Sequence, residues 1–264
     1  MRSEPYAAHS HLGVIVANQT NPPRATDRRV LISGGHPLAL GVARWFSDAG
    51  ARVALLAASP PDDTPTGATY VACSFADERA VERAVNEAAH ALGGIDQIVH
   101  AWVADGLVDN CAFMDLEEAT WVSTCEASLE GAWWLTRRVI APLRAAGGGS
   151  IVYLVPSVGL SGAANYSMLA TVAEGIRVLA KGVGRQWVKH GVTANTIATA
   201  PGLWVGMENE EALARAISLA VPAFGRAGDA RDDLAPLVSV LGEPESHFIS
   251  AATLVADGAV WMGL

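Results

Sequence analysis

Residues 30–41 read Val30-Leu-Ile-Ser-Gly-Gly-His-Pro-Leu-Ala-Leu-Gly41, and this stretch decides the fold of the chain. The apolar start predicts a short buried strand, the Gly-Gly pair predicts a turn, and the residues that follow predict a helix from about Leu40 to Ala49. The next stretch, Asp48-Ala-Gly-Ala-Arg-Val53, ends that helix and begins a second strand. A strand, a helix and a strand in this order predict a βαβ unit with parallel strands.

The same alternation continues along the chain. Strands are predicted at Val30–Ser33, Arg52–Ala57, Thr69–Cys73, Ile95–His100, Ser150–Val155, Thr193–Ala198 and Ala252–Asp257. Further helices are predicted at Glu78–Leu92, Leu116–Ala145 (one long helix or two abutting ones), Ser167–His190, Glu208–Leu219 and Arg231–Leu241, with a loop around Pro201–Met207. We therefore predict an α/β fold with a doubly wound parallel sheet in a single domain over residues 29–264. Residues 1–28 are polar and non-periodic, which predicts an N-terminal tail or arm.

The composition limits the class of protein. Of the 264 residues, 51% are hydrophobic and 17% are charged, which is apolar for a soluble monomer and predicts a buried subunit interface. The formal net charge of -9 argues against nucleic acid or an anionic membrane as a partner. The three cysteines match no metal-ligand spacing, and their odd number indicates free thiols in a reducing compartment. No apolar run approaches the ~18–20 residues that cross a bilayer, so we expect a cytoplasmic protein.

Several local phrases, taken with their order, carry a resemblance to a known family. They are Val30–Gly35, Asp48–Val53, Gly94-Ile-Asp-Gln-Ile-Val99, Leu143–Val152, Gln186-Trp-Val-Lys-His-Gly-Val-Thr-Ala-Asn195, Ala200-Pro-Gly202 and Leu254-Val-Ala-Asp-Gly258. Across residues 29–264 the chain resembles the short-chain dehydrogenase/reductase (SDR) family. The resemblance implies a Rossmann-like fold, whereas activity has to be judged position by position.

The positions at which this family binds its dinucleotide are altered. Gly34 and Gly35 keep two glycines of the first turn, but Ala39 stands where the last one is expected and Pro37 has no N–H for a phosphate. Alanines follow the second strand where the family binds the ribose, Ser74 replaces an Asp near the adenine, and His100-Ala-Trp-Val103 replaces Asn-Asn-Ala-Gly. We therefore expect no NAD or NADP bound by this chain.

The catalytic positions are altered more severely. The family uses a Tyr-x-x-x-Lys pair with a Ser and an Asn, yet the two lysines, Lys181 and Lys189, do not lie four residues after any tyrosine. The positions that match Asn, Ser, Tyr and Lys are Ser128, Pro156, Leu169 and Ala173. A shift of three residues brings Tyr166 into the tyrosine position, but Ala170 then replaces the lysine. No side chain in this set supplies the proton that carbonyl reduction requires.

Other residues are candidates for a different chemistry. His100 is expected at the carboxyl end of a strand, and Ser157 and Tyr166 are expected near it. Together they suggest a cofactor-free lyase, isomerase or dehalogenase-like enzyme on a reused pocket. The alternative is that His100 is a hydrogen-bonded filler of the interior and Tyr166 anchors a loop. A third possibility is an atypical NAD(P)-dependent oxidoreductase that binds its cofactor in a displaced pose.

The leading hypothesis is a catalytically silent SDR subunit. In the family, the two long helices and the C-terminal tail usually form subunit contacts, and here they carry Trp133, Trp134, Trp261 and Met262. The chain is similar to the inactive subunit of heteromeric SDR dehydrogenases, such as the CoA-thioester alcohol dehydrogenase of benzylsuccinate degradation. This predicts assembly with an active SDR paralogue and with itself, as a heterotetramer or homo-oligomer, with NAD or NADP in the partner subunit. We expect no metal site in this chain.

Overall fold

A computed structural model describes residues 25–205, 224, 226 and 228–263. Its centre is a seven-stranded sheet in the order β3-β2-β1-β4-β5-β6-β7, with every neighbouring pair parallel. The strands are β1 (Arg29–Ser33), β2 (Arg52–Ala57), β3 (Thr69–Ala72), β4 (Gln97–His100), β5 (Gly149–Pro156), β6 (Val192–Thr199) and β7 (Thr253–Ala256). The strand order reverses between β1 and β4, which is the switch point of a doubly wound fold. The predicted fold class is confirmed.

Helices cover both faces of the sheet. They are α1 (Pro37–Asp48), α2 (Glu78–Leu92), α3 (Glu118–Trp121), α4 (Ala127–Ala145), α5 (Val158–Ser161), α6 (Ser167–Trp187), α7 (Gly202–Val205) and α8 (Ala235–Val240). On one face α4 packs against α2 and α6, and on the other α1 packs against α8. On each face, a buried hydrogen bond joins a strand to a covering helix. Thr136 of α4 bonds the hydroxyl of Tyr153 in β5, and Gln97 of β4 donates to the carbonyl of Val238 in α8.

The local sequence explains why α2 forms where it does. Asp77 accepts a hydrogen bond from the backbone N–H of Arg79 and caps the first turn, while Gly93 ends the helix at a φ of 74°. Between them the apolar residues recur on one side of the helix and are buried against the sheet. A capped amphipathic pattern of this kind is why the predicted bounds Glu78–Leu92 are confirmed.

Other predicted bounds were wrong. Helix α1 starts at Pro37 instead of Leu40, because proline suits the first helical turn and His36 caps it. By contrast, the prediction of one long helix or two abutting ones over residues 116–145 is confirmed in its second form, because a π-helical segment, Val122–Glu126, joins α3 to α4. Strand β4 begins at Gln97, and the predicted loop after Pro201 contains α7. The predicted helix Glu208–Leu219 lies outside the described residues.

The chain already packs onto the domain before β1. Ala25 is buried, and the Arg28 guanidinium bonds Gln97 Oε1 at 3.0 Å and the Ser239 carbonyl at 2.8 Å. Arg28 therefore connects the residues just before β1 with the C-terminal part of α8. Within the described part of the chain, no helix is both long and apolar enough to cross a membrane.

Candidate functional site

The carboxyl edge of the sheet, next to the switch point between β1 and β4, is where open α/β sheets bind ligands. Four segments of this chain meet there: the turn after β1, the residues after β4, the end of β5, and the loop with α7 after β6. Each segment holds residues that the sequence predicts to lie at this edge.

The turn after β1 does not leave a free helix N-terminus. Pro37 has no N–H, and the N–H of Leu38 donates to the His36 ring at 3.4 Å. A phosphate at a helix N-terminus needs these first backbone donors. Of the first three residues of α1, Pro37 and Leu38 therefore have no free backbone N–H to donate to a phosphate.

The side chain of Trp204, from α7, closes over the same turn. Its ring stacks on His36 with centroids 6.5 Å apart and planes 17° apart, and its Nε1–H donates to Thr199 Oγ1 at 2.8 Å. Trp204 is 2% exposed. Partial burial lowers the pKa of His36, and the hydrogen bond that its ring donates to the Trp204 backbone offsets this only in part, so a positive charge that could attract an anion is disfavoured here.

The end of β2 is apolar and close-packed. Ala57 is buried, and a Cβ on Gly35 would lie 3.4 Å from the Cβ of Ala57 and 3.5 Å from Cγ of Pro61. The nearby carboxylate of Asp63 pairs with Arg44 at 2.6 Å. The end of β2 itself therefore offers a ribose no acidic side chain, and the Asp63 carboxylate beside the neighbouring cavity is paired with Arg44.

An aromatic pair fills the edge beside β4. The ring of Trp102 stacks on Phe75 with centroids 4.5 Å apart and planes 22° apart. Gly131 of α4 lies directly beneath, since a Cβ there would be 2.5 Å from Cζ3 of Trp102. The turn of β1 adjoins this pair, because a Cβ on Gly34 would lie 3.3 Å from the backbone nitrogen of Trp102.

These observations together decide whether a dinucleotide fits. Two donors of the α1 N-terminus are missing or used, alanine and proline line the ribose corner, and the Trp102 indole packs beside β4. The turn after β1 therefore lacks part of the donor set that a pyrophosphate uses in other doubly wound folds, although a cavity of about 910 Å³ lies beside it, lined by His36, Pro37 and Trp204 among others.

The positions that match the family's catalytic residues are buried and mostly apolar. Leu169 and Ala173 lie on the inner side of α6 and are 0% and 1% exposed. Pro156, also buried, ends β5. Ser128 has both roles of its hydroxyl occupied, because it donates to the Thr124 carbonyl at 2.6 Å and accepts from the N–H of Ala104 at 3.0 Å. It fastens the loop after β4 to α4.

His100 lies inside the protein and not in the cleft. Its Nδ1 is 2.9 Å from Ser33 Oγ, and its ring meets Tyr153 edge-on at 5.9 Å, on the sheet face that α4 covers. It is 1% exposed, and burial lowers its pKa to about 4. A histidine with this pKa is neutral near pH 7 and cannot donate a proton as imidazolium.

The structure does not join the three fallback residues into one site. Ser157 is buried, and its Oγ has no hydrogen-bond partner among the described residues. Tyr166 is 2% exposed and precedes α6, packed with the core. No hydrogen bond within the described part of the chain links His100, Ser157 and Tyr166 to one another. His100 is thus a hydrogen-bonded group of the interior, the alternative that the sequence left open.

Sequence reasoning missed three residues that shape this edge: Phe75, Gly131 and Trp204. A glycine in the middle of a helix costs about 1 kcal/mol relative to alanine, so Gly131 was a signal that another group approaches α4 closely. Nothing in the sequence indicated that the group would be Trp102. A search of residues 25–205, 224, 226 and 228–263 finds no cluster of three or more possible metal ligands.

The large apolar residues predicted at subunit contacts lie mainly on the surface. Trp133 is 48% exposed with the Arg137 guanidinium over its ring, and Met262 is 84% exposed. Trp134 and Trp261 are partly buried. Between α4 and α6 runs a groove of about 600 Å³, lined by Trp133, Ile140, Leu179, Val183 and Trp187 among others.

Comparison with known proteins agrees with this fold. A family model described as enoyl-(acyl carrier protein) reductase matches residues 35–260. A crystal structure of a Sinorhizobium meliloti 1021 protein described as a short-chain alcohol dehydrogenase superposes with a TM-score of 0.77 at 22% identity, covering 89% of this chain and 96% of that one. The chain belongs to the short-chain dehydrogenase/reductase family.

Its curated relatives are named as reductases and dehydrogenases. The 3-oxoacyl-[acyl-carrier-protein] reductase MabA of Mycobacterium avium is 27% identical over 245 residues, which are 91% of this chain and 92% of that protein. FabG of Vibrio cholerae, with the same activity in its name, is 27% identical over 73% of this chain and 77% of its own length. The 2,3-dihydroxy-2,3-dihydro-p-cumate dehydrogenase of Pseudomonas putida is 25% identical over 88% of this chain and 93% of that protein.

Proposed function

We propose that this chain is a catalytically silent member of the family that assembles with an active SDR paralogue, without an NAD(P) site of its own. The observation that carries the proposal is the buried pair Leu169 and Ala173 on α6, where the family's proton donor and its lysine are expected. Neither side chain can transfer a proton or lower the pKa of one that does. The turn after β1, where Pro37 and the His36 cap remove two helix N-terminal donors, supports the same conclusion.

The outward face of α4 and α6 supports an assembling role. Along the exposed side of α4 the charge changes sign, from Glu126 and Glu130 before Trp133 to Arg137 and Arg144 after it. A copy related by a twofold axis perpendicular to α4 would set the acidic half of each helix against the basic half of the other. The same arrangement suits a second copy of this chain or a paralogue with this charge order.

The complex, and not this chain, would be the NAD(P)-dependent dehydrogenase or reductase. NAD or NADP would lie in the active paralogue, and the silent subunit would supply helix and tail surfaces. We propose a cytoplasmic location as well. It agrees with three free cysteines, of which Cys73 and Cys125 are buried.

The other two hypotheses have less support. A cofactor-free enzyme built on His100 would need that ring in the cleft, but it is buried between Ser33 and Tyr153. A displaced NAD(P) pose would have to use the cavity of about 910 Å³ beside His36 and Trp204, where the altered turn gives a pyrophosphate few backbone donors.

The test has two arms. The purified chain is titrated with NADH and NADPH, following the fluorescence of its tryptophans, and we expect no saturation up to about millimolar concentration, a binding free energy weaker than about −4 kcal/mol. The tagged chain is also isolated from the cells that produce it, and we expect a co-purifying SDR chain with a Tyr-x-x-x-Lys pair and NAD(P)-dependent turnover. Turnover by the chain alone would contradict the proposal.

A further inference from the structure

The packing around Trp102 supports an inference beyond the proposed loss of the cofactor site. The indole lies between the Phe75 ring, 4.5 Å away and nearly parallel, and the backbone of α4 at Gly131. Phe75 is 2% exposed and belongs to the core cluster, so one wall of the space is fixed. The other wall is helix backbone without a side chain. Two flat walls with one aromatic ring between them form a slot.

The walls of this slot are spaced to fit the Trp102 ring. A Cβ on Gly131 would lie 2.5 Å from Cζ3 of Trp102 and 3.2 Å from the Cβ of Phe75, which is closer than side-chain carbons approach. The third side is the backbone of Ala101 and Trp102, against which Gly34 packs at a φ of 116°. Aromatic rings stack in this offset, nearly parallel way on side chains and on bases alike.

We infer that Phe75, Gly131 and the backbone of residues 101–102 form a binding slot for one flat aromatic ring, and that the chain fills it in cis with Trp102. The ligand class that suits the slot is a planar heteroaromatic of indole or purine size, with stacking on Phe75 as the main attraction. This rests on the proposed loss of the dinucleotide site and gives its cause. Between Phe75 and α4 the groove is occupied by the chain's own ring.

The slot is expected to bind the aromatic ring of a nucleotide but not its phosphate groups. The turn of β1 is capped by the His36 ring and begins α1 with Pro37, so no anion site adjoins the slot. Adenosine and AMP should therefore bind equally well once the indole is removed. A cofactor fragment would gain nothing from its phosphate here.

The first experiment removes the indole ring. For Trp102→Ala, the melting temperature is measured with and without indole, adenosine and AMP, and we expect each compound to raise it by several degrees. The matched control is Trp45→Ala, since Trp45 is also partly buried and meets Phe46 edge-on at 5.2 Å. Neither the control nor the wild-type chain should respond. Equal responses of the two variants, or no response of a folded Trp102→Ala, would overturn the inference.

The second experiment keeps the proposal testable if Trp102→Ala does not fold. Gly131→Ala adds a methyl group into the indole, so it should lower the melting temperature, whereas Gly182→Ala in α6 meets nothing within 4 Å and should leave it unchanged or raise it. Equal melting temperatures would show that no ring lies on α4, against the inference.

Failure of this inference can be distinguished from failure of the proposed function. Saturable binding of NADH to the wild-type chain would contradict the missing cofactor site directly. AMP binding to Trp102→Ala about tenfold or more tighter than adenosine would show a working phosphate site, which also contradicts it. If wild type binds no NADH and Trp102→Ala binds neither adenosine nor indole, only the slot is wrong.

Discussion

The carboxyl edge of the sheet and the outward face of α4 and α6 differ in where they place apolar side chains. Beside the edge, Leu169 and Ala173 are buried, and aromatic rings pack in pairs around Trp102 and Trp204. On the outward face, Trp133 and Val178 are 48% and 59% exposed although burial would stabilise them. Apolar side chains beside the edge are thus already buried by the chain itself, whereas those on the helix face are not, which is what the proposed assembly through that face requires.

The largest expected effect comes from restoring the missing lysine at the edge. Ala173→Lys places an ammonium group in a fully buried position, and we expect a loss of unfolding free energy of about 4 kcal/mol or more, since burial shifts a lysine pKa by ~3–5 units at ~1.4 kcal/mol each. The measurement is urea denaturation. Ala91→Lys, on the exposed side of α2, is the control and should be nearly neutral. Equal stability of the two variants would show that the edge is open to water.

An intermediate effect is expected from His100 when the pH is lowered. In the unfolded chain this histidine binds a proton below about pH 6.5, whereas in the folded chain burial lowers its pKa to about 4. Its contribution is therefore fully present above about pH 6.5 and is lost as the pH falls toward 4, by about 3 kcal/mol in total.

His100→Gln should remove that part of the pH dependence. The difference in unfolding free energy between wild type and variant is compared at about pH 7 and about pH 4.5, and the variant should lose less. His90→Gln, at an exposed position of α2, should keep the wild-type slope. If His100→Gln leaves the pH dependence of the unfolding free energy unchanged, the His100 imidazole reaches solvent and is not part of the core.

The smallest expected effect tests the outward face. Glu126→Arg or Arg144→Glu alone should weaken self-association about tenfold, because each sets like charges against one another across the twofold axis, and the double variant should recover. Sedimentation equilibrium measures this directly. Glu87→Arg, on the exposed side of α2, is the charge control. A double variant as weak as the single ones would disprove the antiparallel pairing.

The fold could be predicted from the sequence because its signals are local. The strand–turn–helix run from Val30 and the capped helix after Asp77 each contain their own start and stop residues. The positions that match the family's catalytic residues could likewise be assigned by alignment, and that assignment stays a prediction. The burial of His100 could not be predicted from the sequence, since a four-residue strand does not reveal which of its faces α4 will cover. Trp102 is a second case, because its neighbours Phe75 and Gly131 come from elements distant in the chain.

The contact between Trp102 and Gly131 also has a consequence for how the sequence can change. A larger residue at 131 collides with the indole, and a smaller residue at 102 leaves a void between Phe75 and α4. Each single substitution is therefore costly unless the other has already occurred, and the two positions are coupled. Evolutionary replacement of Trp102 by a small residue must therefore pass through a less stable form, so this packing resists reversal by single substitutions.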